Sequence, residues 1–185
     1  MTNHPSAIGK QTKQSQAPVH IYWDLQNVHL TQKQAELLVD FTKSKGRLDC
    51  FKIYYNSQNK NQLLAKNNVE YLGGQGVDVR SKDKNSVDKA LTFDWIKGVV
   101  IKPYPEIIIL VSGDRDFAPL ISLMLAVGKT IIVFGRRKSA SKKLINLVGE
   151  DNFHDVDELP SLCAGLKPQL KNQKQLSIEA DKLSA

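Results

Sequence analysis

Hydrophobic and polar positions along this chain switch between two periods. Short apolar runs of strand length recur, and stretches with helical spacing separate them. Val19–Trp23 reads as a buried strand ending at Asp24. Residues 32–45 then place Ala35, Leu38, Val39 and Phe41 close to helical spacing, with Gly46 suited to the helix end. A strand over 49–55 and a short helix over 59–67 follow. Gly73-Gly74-Gln75-Gly76 is a turn leading into a short strand over 77–80. Ser86 can cap a helix running to about Val99. Pro103 and Pro105 interrupt the chain before a strand over 106–112, whose apolar run Ile107–Val111 suits burial on both faces. A helix over 116–127 tolerates Pro119 in its first turn and stops at Gly128. A strand over 129–135 and a helix over 139–148 complete the pattern. Strands alternating with helices predict an α/β fold of three layers, a mostly parallel central sheet flanked by helices.

The chain has 185 residues, enough for one domain with tails. Residues 1–17 are rich in Gln, Ser, Thr and Lys and read as a disordered tail. The domain is expected over 18–160. Residues 161–185 read as a polar, basic C-terminal tail, in which Leu166, Leu170, Leu176, Ile178 and Leu183 can support a weak helix. No apolar run approaches the roughly 20 residues of a membrane span, so no membrane partner is expected. The first residues lack the basic start and apolar run of a secretory signal, and a cytoplasmic location is expected. Cys50 and Cys163 form neither a disulfide framework nor a zinc motif.

Charge changes the picture more. The chain carries 26 Lys and Arg against 19 Asp and Glu, a net charge of +7, which favours a polyanionic partner. Part of that charge is concentrated. Arg136, Arg137, Lys138, Lys142 and Lys143 fall within eight residues, just after the strand ending at Gly135. Arg136 and Arg137 are candidates for phosphate contact. Lys142 and Lys143 are equally well read as a solvated helix start. Lys82 and Lys84, close to Asp88, are weaker candidates of the same kind.

The acidic residues follow a rule of place. In a parallel sheet, sites form outside the carboxyl ends of the strands. Asp24 ends the first strand, Asp114 and Asp116 follow the strand ending near Ser112, and Asp88 opens a helix, so all four can face one edge. Any one of Asp88, Asp114 or Asp116 could simply cap a helix. A cap does not require both Asp114 and Asp116, however, and Asp24 terminates an apolar strand. Two carboxylates about 5 Å apart repel by about 3 kcal/mol at an effective dielectric near 20. Several together would partly protonate or need a cation. Oxygen ligands without nearby His or Cys suit Mg²⁺ or Mn²⁺, which can activate water and stabilise phosphoryl transfer.

Three blocks resemble the NYN domain, in its LabA-like branch, related to the PIN-domain nucleases. They are Tyr22-Trp23-Asp24-Leu25-Gln26-Asn27; Lys84-Asn85-Ser86-Val87-Asp88 with Asp94 beyond; and Ser112-Gly113-Asp114-Arg115-Asp116-Phe117 through Gly128-Lys129. The last block is the most specific. The resemblance implies a PIN-like, Rossmann-like sheet and a metal-dependent ribonuclease. It implies that Asp24, Asp88, Asp114 and Asp116 bind the metal, that Asn27 and Ser112 orient a ligand or water, and that Asp94 is an additional acidic member. Asp94 lies six residues after Asp88, about 120° around a helix, so a shared ion is not assured. Single-stranded RNA is the substrate that the resemblance favours. Ser86 stands where the family often has glycine, and serine can cap the helix.

The expected activity is therefore hydrolysis of RNA phosphodiesters by a metal-dependent endoribonuclease. The alternative is a catalytically silent RNA-binding or regulatory module. A phosphatase using Asp24 as nucleophile would want a second Asp two residues on, where Gln26 stands. A third rival is an interaction protein whose C-terminal tail forms a partner helix, and self-association into a homo-oligomer remains open. His20, His29 and His154 lack metal-ligand spacing. Trp23 and Trp95 read as core. Tyr54 or Tyr55 could stack on a base, with at least one of them expected in the core.

Overall fold

A computed structural model describes residues 16–80, 86–102 and 104–166. Expectations for the first 15 residues, for Lys82 and Lys84, and for the tail beyond residue 166 lie outside the described residues. The elements run β1 (Pro18–Asp24), α1 (Gln32–Lys45), β2 (Arg47–Tyr55), α2 (Lys60–Val69), β3 (Gln75–Asp78), α3 (Ser86–Val100), β4 (Ile107–Val111), α4 (Ala118–Ala126), β5 (Thr130–Gly135), α5 (Lys142–Val148), β6 (Phe153–Asp155) and α6 (Leu159–Ala164). Among the described residues, no helix is long and apolar enough to cross a membrane.

All six strands are parallel, in the order β3-β2-β1-β4-β5-β6. The order reverses between β1 and β4, and in open parallel sheets the carboxyl ends of the strands at such a reversal are where ligands bind. The pleat decides which layer each side chain joins. Val19, Ile21 and Trp23 of β1, with Ile109 and Val111 of β4, pack against α1 and α6. Tyr22, Ile108 and Leu110 point the other way, against α3, α4 and α5. Continuing that parity by one residue turns Asp24 and Ser112 toward the layer that contains α3.

The ends of the elements depart from the sequence reading for local reasons. Helix α1 starts at a capping box, with Thr31 as N-cap and Gln34 three residues on. Gly46 ends that helix without a left-handed backbone. A Cβ there would run into the Ala17 carbonyl, which accepts from Arg47 N–H at 2.8 Å. Strand β3 covers 75–78 rather than 77–80, because its ladder is set by pairing Lys52 with Gln75 through Tyr55 with Asp78. Helix α5 begins at Lys142 rather than 139. Residues before it form a turn in which Ser139 and Ala140 donate to the Arg136 carbonyl.

The expected boundary at 160 falls inside a packed element. Helix α6 buries Leu159 and Cys163 in the layer of α1, and Cys163 Sγ donates to Leu37 O at 3.2 Å. Strand β6 was not foreseen either. Three residues are too short to show a period, yet Phe153 is buried beside Val133.

Candidate metal centre

Strand parity and register bring the acidic loops together. Trp23 pairs with Val111 across β1 and β4, so Asp24 and Ser112 leave the sheet side by side. Both are buried, and Ser112 Oγ donates to Asp24 Oδ2 at 3.3 Å. The other oxygen of Asp24 accepts from the backbone N–H groups of Gln26 at 3.0 Å and Asn27 at 3.3 Å. Asn27 Oδ1 in turn accepts from Gly113 N–H at 2.7 Å. Asp114 N–H donates to Ser112 Oγ at 3.2 Å. Asn27 and Ser112 thus tie the loop after β1 to the loop after β4. Gly113 sits against Ala140, where an added Cβ would meet the Ala140 Cα at 3.0 Å.

The loop leads into a short 3-10 turn, Arg115–Phe117, capped by Asp114, whose Oδ1 accepts from Asp116 N–H at 3.0 Å. This turn faces Asp88 in the first turn of α3. Asp88, Asp114 and Asp116 each offer a carboxylate oxygen, and these atoms all lie within 4.8 Å of one another. The donor set is all oxygen, as Mg²⁺ or Mn²⁺ prefers. Oxygens sharing one Mg²⁺ stand no more than about 4.2 Å apart. Sharing one ion would draw the trio's oxygens together by up to about 0.6 Å.

The electrostatics agree with an incomplete charge balance. Asp88 has its pKa raised by burial first, then by Asp114 and Asp116. Asp24 is pushed up to about 6, by burial first and then by the charge of Asp88, against the three hydrogen bonds it accepts. Asp24 therefore stands within electrostatic reach of the trio, although it is not among the three mutually close carboxylates.

Asp94 does not join this group. It accepts from the Tyr54 hydroxyl at 2.8 Å and pairs with Lys52 at 2.8 Å, on another face of α3. Its position around the helix and these two partners hold it away. Neither tyrosine of β2 can stack on a base, since Tyr54 and Tyr55 are both buried.

The basic cluster flanks the same edge. Ser141 N–H donates to Gly113 O at 3.0 Å, which places the start of α5, with Lys142 and Lys143, beside the carboxylate loop. Lys138, Lys142 and Lys143 are exposed. Arg136 donates to the His29 carbonyl at 3.1 Å and stands 3.7 Å from Asp157. Arg137 pairs with Glu150 at 2.8 Å and lies over the Phe153 ring. The two arginines thus already serve the protein's own surface while remaining exposed. Sequence reasoning passed over Arg115, 3.7 Å from Asp116, and Phe93, an exposed aromatic beside Asp88. Arg115 lay within a quoted block, and Phe93 begins an apolar i, i+3, i+7 series with Ile96 and Val100 that could have marked it.

The family model for the NYN domain matches residues 18–157. The chain belongs to the NYN domain family. NYN domains are a PIN-like nuclease family, whose members act on RNA and generally use divalent metals. The Asp trio gives this NYN domain a group of carboxylate oxygens close enough to meet at one ion. No curated protein matches the chain. Among solved structures, a protein of unknown function from Vibrio parahaemolyticus is similar, with a TM-score of 0.64 at 23% identity, over 80% of this chain and 98% of the other. That likeness concerns the fold.

Proposed function

We propose that this NYN domain is a metal-dependent endoribonuclease that hydrolyses phosphodiester bonds of single-stranded RNA. The observation that carries the reading is the convergence of Asp88, Asp114 and Asp116 within 4.8 Å, at the edge where the sheet order reverses. In this reading the trio holds Mg²⁺ or Mn²⁺ and Asp24 is the fourth carboxylate. A divalent ion bound there supplies activation of water and neutralises the charge that develops on the phosphoryl group. Asn27 and Ser112 hold the carboxylate loop in register, so that the acidic side chains need not reorganise when substrate arrives. Arg136, Arg137, Lys138 and Lys142, with Lys84 outside the described residues, guide the phosphate backbone. Water adds its oxygen to phosphorus, the bond to the departing oxygen breaks, and that oxygen takes up a proton. Membership of the LabA-like branch, a cytoplasmic location and self-association are finer parts of the same proposal, resting on the sequence blocks and composition.

The test is purified protein with single-stranded RNA and Mn²⁺, beside Asp114→Asn. Asparagine keeps the oxygen that caps the 3-10 turn but removes the charge. Cleavage by the wild type, lost in the variant and in EDTA, is expected. Equal cleavage by both proteins, or cleavage that survives EDTA, refutes this site. RNA and metal binding without turnover would assign the protein to the regulatory alternative.

A further inference from the structure

We propose that Phe93 and Ile96 form a nucleobase subsite beside the carboxylates, where one unstacked base of single-stranded RNA lies while its phosphate is held at the metal centre. This deepens the nuclease reading and rests on it for the phosphate's position. The observation is a cleft of about 450 Å³ lined by Asp88, Lys89, Thr92, Phe93, Ile96 and Asp116. Two of these residues belong to the carboxylate trio, so the cleft and the metal centre share a wall.

Helix α3 does not need Phe93 for packing. Its buried stripe is Val87, Leu91 and Trp95, spaced i, i+4, i+8. Phe93, Ile96 and Val100 make a second stripe at i, i+3, i+7, exposed by 67%, 44% and 65%. Large exposed apolar surface of this kind marks a binding face. Phe93 stands five residues after Asp88, about 7.5 Å along the helix and about 140° around it, at the far side of the cleft that both residues line. Thr92 adds a hydroxyl between them.

The charge pattern selects the occupant. A second protein copy filling this cleft would cover Asp88 and Asp116 and take both carboxylates out of water, where like charges are costly. A base laid on Phe93 leaves those carboxylates facing the ion and the backbone phosphate. Aromatic platforms bind bases of any identity through their π-faces, and bases in a duplex are already stacked on each other. The subsite therefore confers preference for single strands without strong sequence preference.

The test uses the full chain with a short single-stranded RNA carrying 2-aminopurine, in Ca²⁺, with the RNA checked for integrity by gel. Stacking on Phe93 is expected to quench the probe. Phe93→Ala and Phe93→Leu are expected to lose the quench and to bind about 5- to 100-fold more weakly, while Phe93→Tyr and Phe93→Trp retain both. All four should keep the wild-type melting temperature, because the ring is exposed. Wild-type binding by Phe93→Leu, absence of RNA binding by the wild type, or a changed oligomeric mass in Phe93→Ala overturns the subsite. The two readings fail separately. If Mn²⁺ supports no cleavage but the quench still depends on an aromatic residue at 93, only the nuclease reading falls. If the wild type cleaves and Phe93→Ala cleaves with the same kcat/KM, only the subsite falls.

Discussion

Replacing Asp24 by Asn should stabilise the metal-free protein at neutral pH. Asp24 is 3% exposed and its pKa lies at about 6, raised first by burial and then by Asp88. Against an ordinary value of 3.8, and at about 1.4 kcal/mol for each tenfold change in proton affinity, keeping it ionised in the folded state costs about 3 kcal/mol. Folded Asp24 holds its proton more tightly than unfolded Asp24. Folding therefore takes up a proton between about pH 4 and pH 6, and stability falls as pH rises through that window. Asparagine keeps the shape of the side chain and two of its three contacts. Its oxygen accepts from Gln26 and Asn27 N–H, and its amide donates to Ser112 Oγ in place of the present bond. The assay is urea unfolding in EDTA, followed by fluorescence of the buried Trp23 and Trp95. Asp24→Asn should exceed the wild type by about 3 kcal/mol at pH 8, by roughly half of that at pH 5, and by little at pH 4. Mn²⁺ should then stabilise the wild type more than the variant, because an ion relieves the repulsion that the variant lacks. A variant less stable than the wild type at pH 8, or a difference independent of pH, refutes this account of a strained buried charge.

Other consequences are equally measurable. Asn27→Ala leaves the buried Gly113 N–H without its 2.7 Å acceptor and should cost about 1–3 kcal/mol in urea unfolding, with weaker Mn²⁺ binding by calorimetry. Lys138→Ala and Lys142→Ala should each weaken single-stranded RNA binding and reduce the slope of log affinity against log salt by about 0.7, read by fluorescence anisotropy; an unchanged slope would remove that residue from the backbone path. Truncation after Glu158 removes the buried Leu159 and Cys163 and should cost about 3–5 kcal/mol, seen as a lower urea midpoint, whereas a mere tail would be lost without effect.

Much of this NYN domain is legible in one dimension. Apolar runs such as Ile107–Val111, too short for a helix and preceded by Pro103 and Pro105, read as strands buried on both faces, and their alternation with helices points to a parallel, layered sheet. The acidic residues of the trio are likewise visible, because strand-to-helix connections are where such a sheet collects its chemistry. Short or unpatterned pieces escape that logic. Strand β6 has three residues, and α6 buries Leu159 and Cys163 on six, so neither carries a periodic signal. Tertiary structure also decided among residues that look alike in sequence. Asp88 and Asp94 share a helix, yet rotation about its axis sends one to Asp114 and Asp116 and the other to Lys52 and Tyr54. Tyr54 and Phe93 are both aromatics near the acidic edge, yet the first fills the core and the second lies open beside a carboxylate. Sequence period assigns a residue to an element. Which neighbour its side chain meets depends on the pleat, the helix phase and the strand order together, and those exist only once the sheet has closed.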